Sequence, residues 1–197
     1  CVVLTRLRAW IVYRDYSQFL HAECQTAFGT DLNNRVFWEF AVPVGMGQLI
    51  SLRIVLTMAT AGNRVSVCFE RSCNGSGDYL ADAEPVRIII RPDIEDRSCH
   101  DTTRAWTGPE QRFREAAVAE KTGFRFRRQS GRDFRCTIDR GAYAHEPEWQ
   151  YLVGHPLEAG RGLPDAGDLF SPGYFHGNVR GGETLCVRAG LEGESGA

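Results

Sequence analysis

Lysine is almost absent from this chain: all but one of its 23 basic residues are arginine, Lys121 being the exception. Against 25 acidic residues they give a formal net charge of -2, so no basic field exists to hold a nucleic-acid backbone, and the arginine bias reads as codon usage. Long hydrophobic runs are missing too. The longest apolar stretches, such as Val86 to Ile90, fall far short of the roughly 20 residues a membrane helix needs, and no charged-then-apolar leader opens the chain. Phosphate-binding and nucleophile signatures are also lacking: Gly45-Met46-Gly47 has no third glycine and reads as a hairpin turn, and neither Gly-x-Ser-x-Gly nor Gly-Lys-Ser/Thr occurs. These absences argue against elbow-type serine hydrolases and enzymes built on those nucleotide loops. No Cys-x-x-Cys occurs, His145-Glu146 lacks the second histidine of a zinc-protease helix, and His145, His155 and His176 fall in different turns, so neither metal nor cofactor is expected. The seven cysteines (Cys1, Cys24, Cys68, Cys73, Cys99, Cys136 and Cys186) are odd in number and irregularly spaced. They read as reduced thiols of a cytoplasmic protein.

What the sequence has in abundance is alternation with a period of two. In Val36 to Val42 the even positions are large and apolar, and Ile50, Leu52, Ile54, Leu56 and Met58 repeat that parity. Val65, Val67 and Phe69 continue it after a turn at Ala61-Gly62-Asn63. The pattern predicts strands at Val2 to Tyr13, Phe37 to Val44, Leu49 to Ala59, Arg64 to Arg71 and Val86 to Arg91. Trp38, Phe40, Ile54, Leu56, Val67 and Ile88 are expected to face inward. Later strands are expected at Phe124 to Arg128, Phe134 to Ile138, Trp149 to Val153 and Thr184 to Arg188. Helical signal is confined to Glu110 to Lys121, where Pro109 suits a helix start and alanines follow. Asn74 to Asp78 reads as a loop. Strand following strand at such spacing indicates an all-β fold, an antiparallel β-sandwich with one short helix at most, as a single domain over residues 1–189 with a flexible Gly-rich tail at 190–197. The chain opens on Cys1 and runs at once into a strand pattern, from which an excerpt of a longer polypeptide is expected.

Two groups of residues invite a chemical reading. In Arg91-Pro92-Asp93-Ile94-Glu95-Asp96-Arg97, Asp93 and Glu95 share a strand face roughly 6.5 Å apart, a separation within the range of an inverting glycosidase pair. The interleaved arginines favour a plainer reading, in which the carboxylates pair with Arg91 and Arg97 at a strand end, and no catalytic residue is expected. The second group begins at Glu146. Trp149 and Tyr151 fall on one strand face, and Glu158, Arg161 and Asp168 follow on a stretch punctuated by Pro and Gly, so a turn-rich loop can carry them back toward the rings as a sugar platform. The alternative is that the charged residues pair with one another and the rings are core.

At these residues the sequence resembles a known family. Glu148-Trp149-x-Tyr151, His155-Pro156-x-Glu158-Ala159-x-Arg161-Gly162-Leu163 and Asp168-Leu169-Phe170-Ser171-Pro172-Gly173-Tyr174-Phe175 are similar to the N-terminal domain of bacterial and archaeal type glycogen debranching enzymes, the amylo-α-1,6-glucosidase family. Trp38 to Gly47 and Arg91 to His100 extend the likeness, and Trp106 to Phe124 match least. The resemblance implies a β-sandwich of the supersandwich type, incomplete at its N-terminal end, that lacks the helical (α/α) toroid carrying the family's catalytic acids. It also implies hydrolysis of α-1,6 branch points in a glycogen-like glucan by the parent enzyme, with the helical domain as intramolecular partner and with neither nucleic acid nor membrane as partner. A stand-alone carbohydrate-binding or interaction module is the alternative.

Overall fold

The computed structural model describes residues 2–33, 35–60, 62–74, 77–99, 101–129, 131–162 and 164–192. Cys1, Ala61, Gly75, Ser76, His100, Leu163 and the tail from 193 onward, all of which enter the sequence reading, lie outside the described residues.

About 58% of the chain is strand and 9% helix, which makes the fold all-β. The chain runs through β1 (Val2–Tyr13), β2 (Tyr16–Phe19), a 3₁₀ turn at Ala22–Cys24, β3 (Gln25–Thr30), β4 (Val36–Gly45), β5 (Gln48–Met58), β6 (Arg64–Arg71) and β7 (Val86–Arg97). After α1 (Thr107–Ala116) come β8 (Ala117–Glu120), β9 (Gly123–Phe126), β10 (Phe134–Ile138), β11 (Ala142–Ala144) and β12 (Glu148–Gly154). The one-turn α2 (Pro156–Ala159) precedes β13 (Ala166–Ser171), β14 (Tyr174–Val179) and β15 (Thr184–Leu191). Two antiparallel sheets result. An eight-stranded sheet has the order β3-β4-β5-β6-β15-β10-β9-β8, and a seven-stranded one the order β11-β14-β7-β1-β2, with β13 joined to β7 and β12 to β13.

Alternation places one face of each strand between the sheets. Ile11, Ile88, Ile90 and Phe175 of the seven-stranded sheet and Leu52, Phe69, Phe124 and Leu185 of the eight-stranded one are fully buried there. Val67 and Ile88 are buried as expected. Phe40, Ile54 and Leu56 pack against the core but keep partial exposure, and Trp38 is partly exposed too, because with Leu4 and Leu7 these residues line a groove of about 580 Å³ between the sheets. The groove lies beneath the first half of β1, since β2 pairs β1 only from Trp10 to Tyr13.

Several expectations need correction. The helix does not reach Lys121: α1 ends at Ala116, and Ala117–Glu120 pairs with β9 through Ala117↔Phe126 to Glu120↔Gly123. Cross-strand pairing with buried Phe124 and Phe126 outweighs the helix preference of the alanines. Strand β7 does not end at Arg91. Pro92 falls where β7 changes partners on one side from β14 to β13, and the pairing Leu7↔Pro92 on the other side carries the strand through. The Pro- and Gly-punctuated stretch expected as a turn-rich loop holds, from Ala166 onward, a strand, a tight turn and a strand, with Pro172-Gly173 between β13 and β14. Gly190 and Leu191, assigned to the tail, belong to β15. Not all thiols are reduced: Cys68 and Cys186, directly opposite on β6 and β15, form a disulfide, while Cys24, Cys73, Cys99 and Cys136 are free.

Candidate functional site

The outer face of the seven-stranded sheet carries the charges that the sequence crowds into β7. Arg91, Asp93, Glu95 and Arg97 alternate with the core-facing residues of that strand, and Arg6 and Arg8 stand beside them on β1. Asp93 is fully buried: its Oδ2 accepts from Arg6 Nε at 2.7 Å and Arg8 Nε at 3.0 Å, and its Oδ1 accepts from Arg8 Nη2 at 2.8 Å. Glu95, also fully buried, accepts from Arg97 Nε at 2.7 Å and from the Thr5 hydroxyl at 2.8 Å. The plainer reading of this cluster thus has partly different partners. Arg91, assigned to the carboxylates of its own strand, instead meets Glu148 at 3.1 Å and donates to Ser171. Burial works against the Arg8 charge, but the hydrogen bonds to Asp93 and Glu148 outweigh it and raise its pKa; Arg97 is raised in the same way by Glu95 and Glu158.

The residues singled out for sugar contact surround a different feature. Trp149 and Tyr151 both meet α1, the first through its ring and the second through its hydroxyl. The Trp149 ring packs 5.1 Å from Phe113 of α1 and 5.2 Å from Phe170, while the Tyr151 hydroxyl donates to Glu110 of α1 at 2.9 Å, which raises the Tyr151 pKa. Asp168 is buried, and its carboxylate accepts from the backbone N–H groups of Ala105 at 2.7 Å and Leu152 at 2.8 Å. The second bond holds a bulge in β12, where Leu152 has φ 52 and the register with β13 shifts. Glu158 accepts from Arg97 at 3.4 Å. Arg161 is exposed, and its side chain has no partner among the described residues. Asp168, Glu158 and Arg161 therefore do not pair with one another among the described residues, and Trp149 is packed between Phe113 and Phe170 while Tyr151 stays 57% exposed.

What these contacts hold in place is a cleft of about 840 Å³ between the last residues of β7, the segment from Asp101 to Trp106 and the start of α1. Arg97 ties down the start of the segment by donating to the backbone carbonyls of Ser98, Cys99 and Asp101. Asp168 grips it from the other side, its N–H donating to Thr103 O and its carboxylate accepting from Ala105 N–H. The next residue is Trp106, 63% exposed on the wall of the cleft. Arg112 and Arg128 on another wall both meet Asp96. Sequence reading did not single out Trp106, whose one local mark is a lone tryptophan between Ala105 and Thr107 just before a helix start.

Residues 1–186 match the family described as glycogen debranching enzyme N terminal. The chain belongs to this family. No curated protein matches it at a significant level. Membership agrees with the sandwich and places this debranching-enzyme domain among the parts of glycoside hydrolases. Among the described residues no helix is long and apolar enough to cross a membrane.

Proposed function

We propose that the chain is the non-catalytic β-sandwich portion of an enzyme that hydrolyses α-1,6-glucosidic branch points in a glycogen-like glucan, the acid chemistry being supplied by a helical domain of the same polypeptide. The family match over residues 1–186 carries this reading. The carboxylates of β7 support the non-catalytic half of it. A glycosidase needs one carboxyl that protonates the leaving oxygen and a second that attacks or activates water, both open to substrate. Asp93 and Glu95 have no exposed surface, and each is bound to at least one arginine. Trp149, Tyr151, Glu158 and Asp168 serve this function by fixing α1 and the segment from Asp101 to Trp106. A storage glucan is kept inside the cell, so the same reading puts the enzyme in the cytoplasm.

The test is glucose release from a limit dextrin. The purified 197-residue chain is expected to release none, and the polypeptide encoded by the whole reading frame is expected to release it. Release by the chain alone, abolished by Asp93→Asn, would overturn the non-catalytic assignment. A whole polypeptide that binds glucan but leaves every α-1,6 link intact would favour a carbohydrate-binding module.

A further inference from the structure

We propose that the cleft beside Trp106 is a binding site for a short stretch of α-glucan, with the flat face of one glucose unit on the indole and neighbouring hydroxyls on Asp101 and Arg104. The inference rests on the debranching-enzyme reading for the identity of the sugar, and on the cleft itself for the site.

Three properties point to a neutral sugar. The first is the ring. An exposed indole offers an apolar face of the size of a pyranose, and the C–H groups of a sugar pack on such a face while its hydroxyls remain free for polar partners. Trp106 follows directly on Ala105, whose backbone Asp168 holds, so the ring is carried by an anchored segment.

The second property is the state of the charges. Of the cleft's charged side chains, Arg97 is engaged by Glu95 and Glu158, and Arg112 and Arg128 by Asp96. The side chains of Asp101 and Arg104, both exposed, have no hydrogen bond or ion pair among the described residues. The charges of Asp101 and Arg104 cancel, and although Arg112 and Arg128 share the single Asp96 carboxylate, Arg97 has two, so the cleft with its partners Glu95 and Glu158 carries four charges of each sign. A phosphate or carboxylate ligand would gain little there, whereas a vicinal diol, which both donates and accepts, matches the pair. The Gln129 side-chain amide adds a further donor and acceptor on the lining.

The third is the contrast with the other cavities. The groove between the sheets is lined mainly by aliphatic and aromatic side chains, and the cavity of about 710 Å³ bordered by Arg64, Arg135 and Arg188 has no aromatic residue on its lining. Among these cavities, only the Trp106 cleft joins a ring to unengaged groups of both signs. Its volume falls within the range of roughly 300–1,000 Å³ typical of small-molecule sites.

The experiment is a titration of the ¹⁵N-labelled chain with maltotriose and, separately, with inorganic phosphate, following the Trp106 indole N–H. Maltotriose is expected to shift that signal saturably, with at least a tenfold loss of affinity in Trp106→Ala and a smaller loss in Asp101→Asn. Trp106 is exposed, so the thermal midpoint of Trp106→Ala should stay within about 2 °C of the parent, which keeps a binding loss from being mistaken for unfolding. Absence of saturable maltotriose binding, or binding equal in Trp106→Ala, overturns the site. Binding of phosphate in preference to sugar overturns the ligand class. The glucose-release assay on the whole polypeptide reports on the debranching reading independently, so activity without Trp106-dependent binding refutes this inference alone.

Discussion

Replacing Asp93 with asparagine tests whether the charged face of β7 is structural. In the folded chain the Asp93 carboxylate receives three hydrogen bonds from two guanidinium groups. An amide keeps one oxygen to accept with, while its NH₂ faces a donor. Arg8, whose side chain is only 13% exposed, then loses its two-point attachment but keeps Glu148 at 2.7 Å; Arg6, 36% exposed, can turn to water. Breaking a buried pair by removing one partner costs about 3–5 kcal/mol, and the remaining Glu148 contact puts this case near the lower end, at about 3 kcal/mol. For 197 residues the unfolding entropy near the midpoint is about 0.4 kcal/mol per kelvin, so the expected fall in thermal midpoint is about 7 °C. Calorimetry of Asp93→Asn, Arg8→Met and the double variant measures it. The double variant should lose less than the sum of the two single losses, because both changes break the same Arg8–Asp93 contact. Additive losses, or a midpoint within about 1 °C of the parent in Asp93→Asn, would refute the reasoning.

Trp149→Ala should lower stability by about 3 kcal/mol, the lower end of the range for truncating a large aromatic, since the ring is only partly buried; maltotriose affinity of the folded protein should not change, and a loss of affinity with an unchanged midpoint would return Trp149 to the binding surface. Gly173→Ala places a Cβ against the Ala144 carbonyl and 2.8 Å from the Tyr143 hydroxyl, so a loss of about 1–3 kcal/mol is expected by urea unfolding, and a neutral result would show that the β11–β14 pairing can shift. Stability should also fall at alkaline pH. Burial raises the Cys136 thiol above its ordinary 9.0 and the Tyr143 phenol above its ordinary 10.0, so the unfolded chain releases these protons first and their contribution, complete below pH 9, declines as pH climbs past those values. Unfolding free energy from urea titrations at pH 8 and 10.5 checks this, and a Cys136→Ala, Tyr143→Phe double variant should show a shallower decline.

How far the sequence discloses this molecule depends on the range of the forces involved. Strands β1 and β6 are legible to the residue, because their alternation is local and a neighbouring sheet merely accepts it. The end of α1 is not, because Ala117 to Glu120 become a strand only through β9, which lies beyond a two-residue turn. The Pro/Gly content of residues 155–175 hides β13 in the same way, since that strand is defined by its pairing with β12 and β7. For the candidate site, the charged neighbourhood was visible but the partners were not: Arg6 and Arg8 lie 87 and 85 residues from Asp93. Asp168 drew attention as a sugar ligand, and it turns out to grip the backbone beside Trp106, a residue that sequence reading did not single out.

The place of β15 has a consequence for how the protein is made. The eight-stranded sheet consists of one run, β3 to β6, and another, β8 to β10, and the strand between them, β15, is the last among the described residues. During synthesis both runs can form hairpins as they emerge, yet β6 and β10 each wait with a bare edge and an uncovered apolar face until Thr184 to Leu191 arrives. Closing the sheet then joins positions such as Cys68 and Cys186, 118 residues apart, a non-local step of the kind that slows folding. A ribosome stalled a few codons before that strand would display two half-sheets ready to pair with any other edge, so the growing chain depends on protection until that strand has been made.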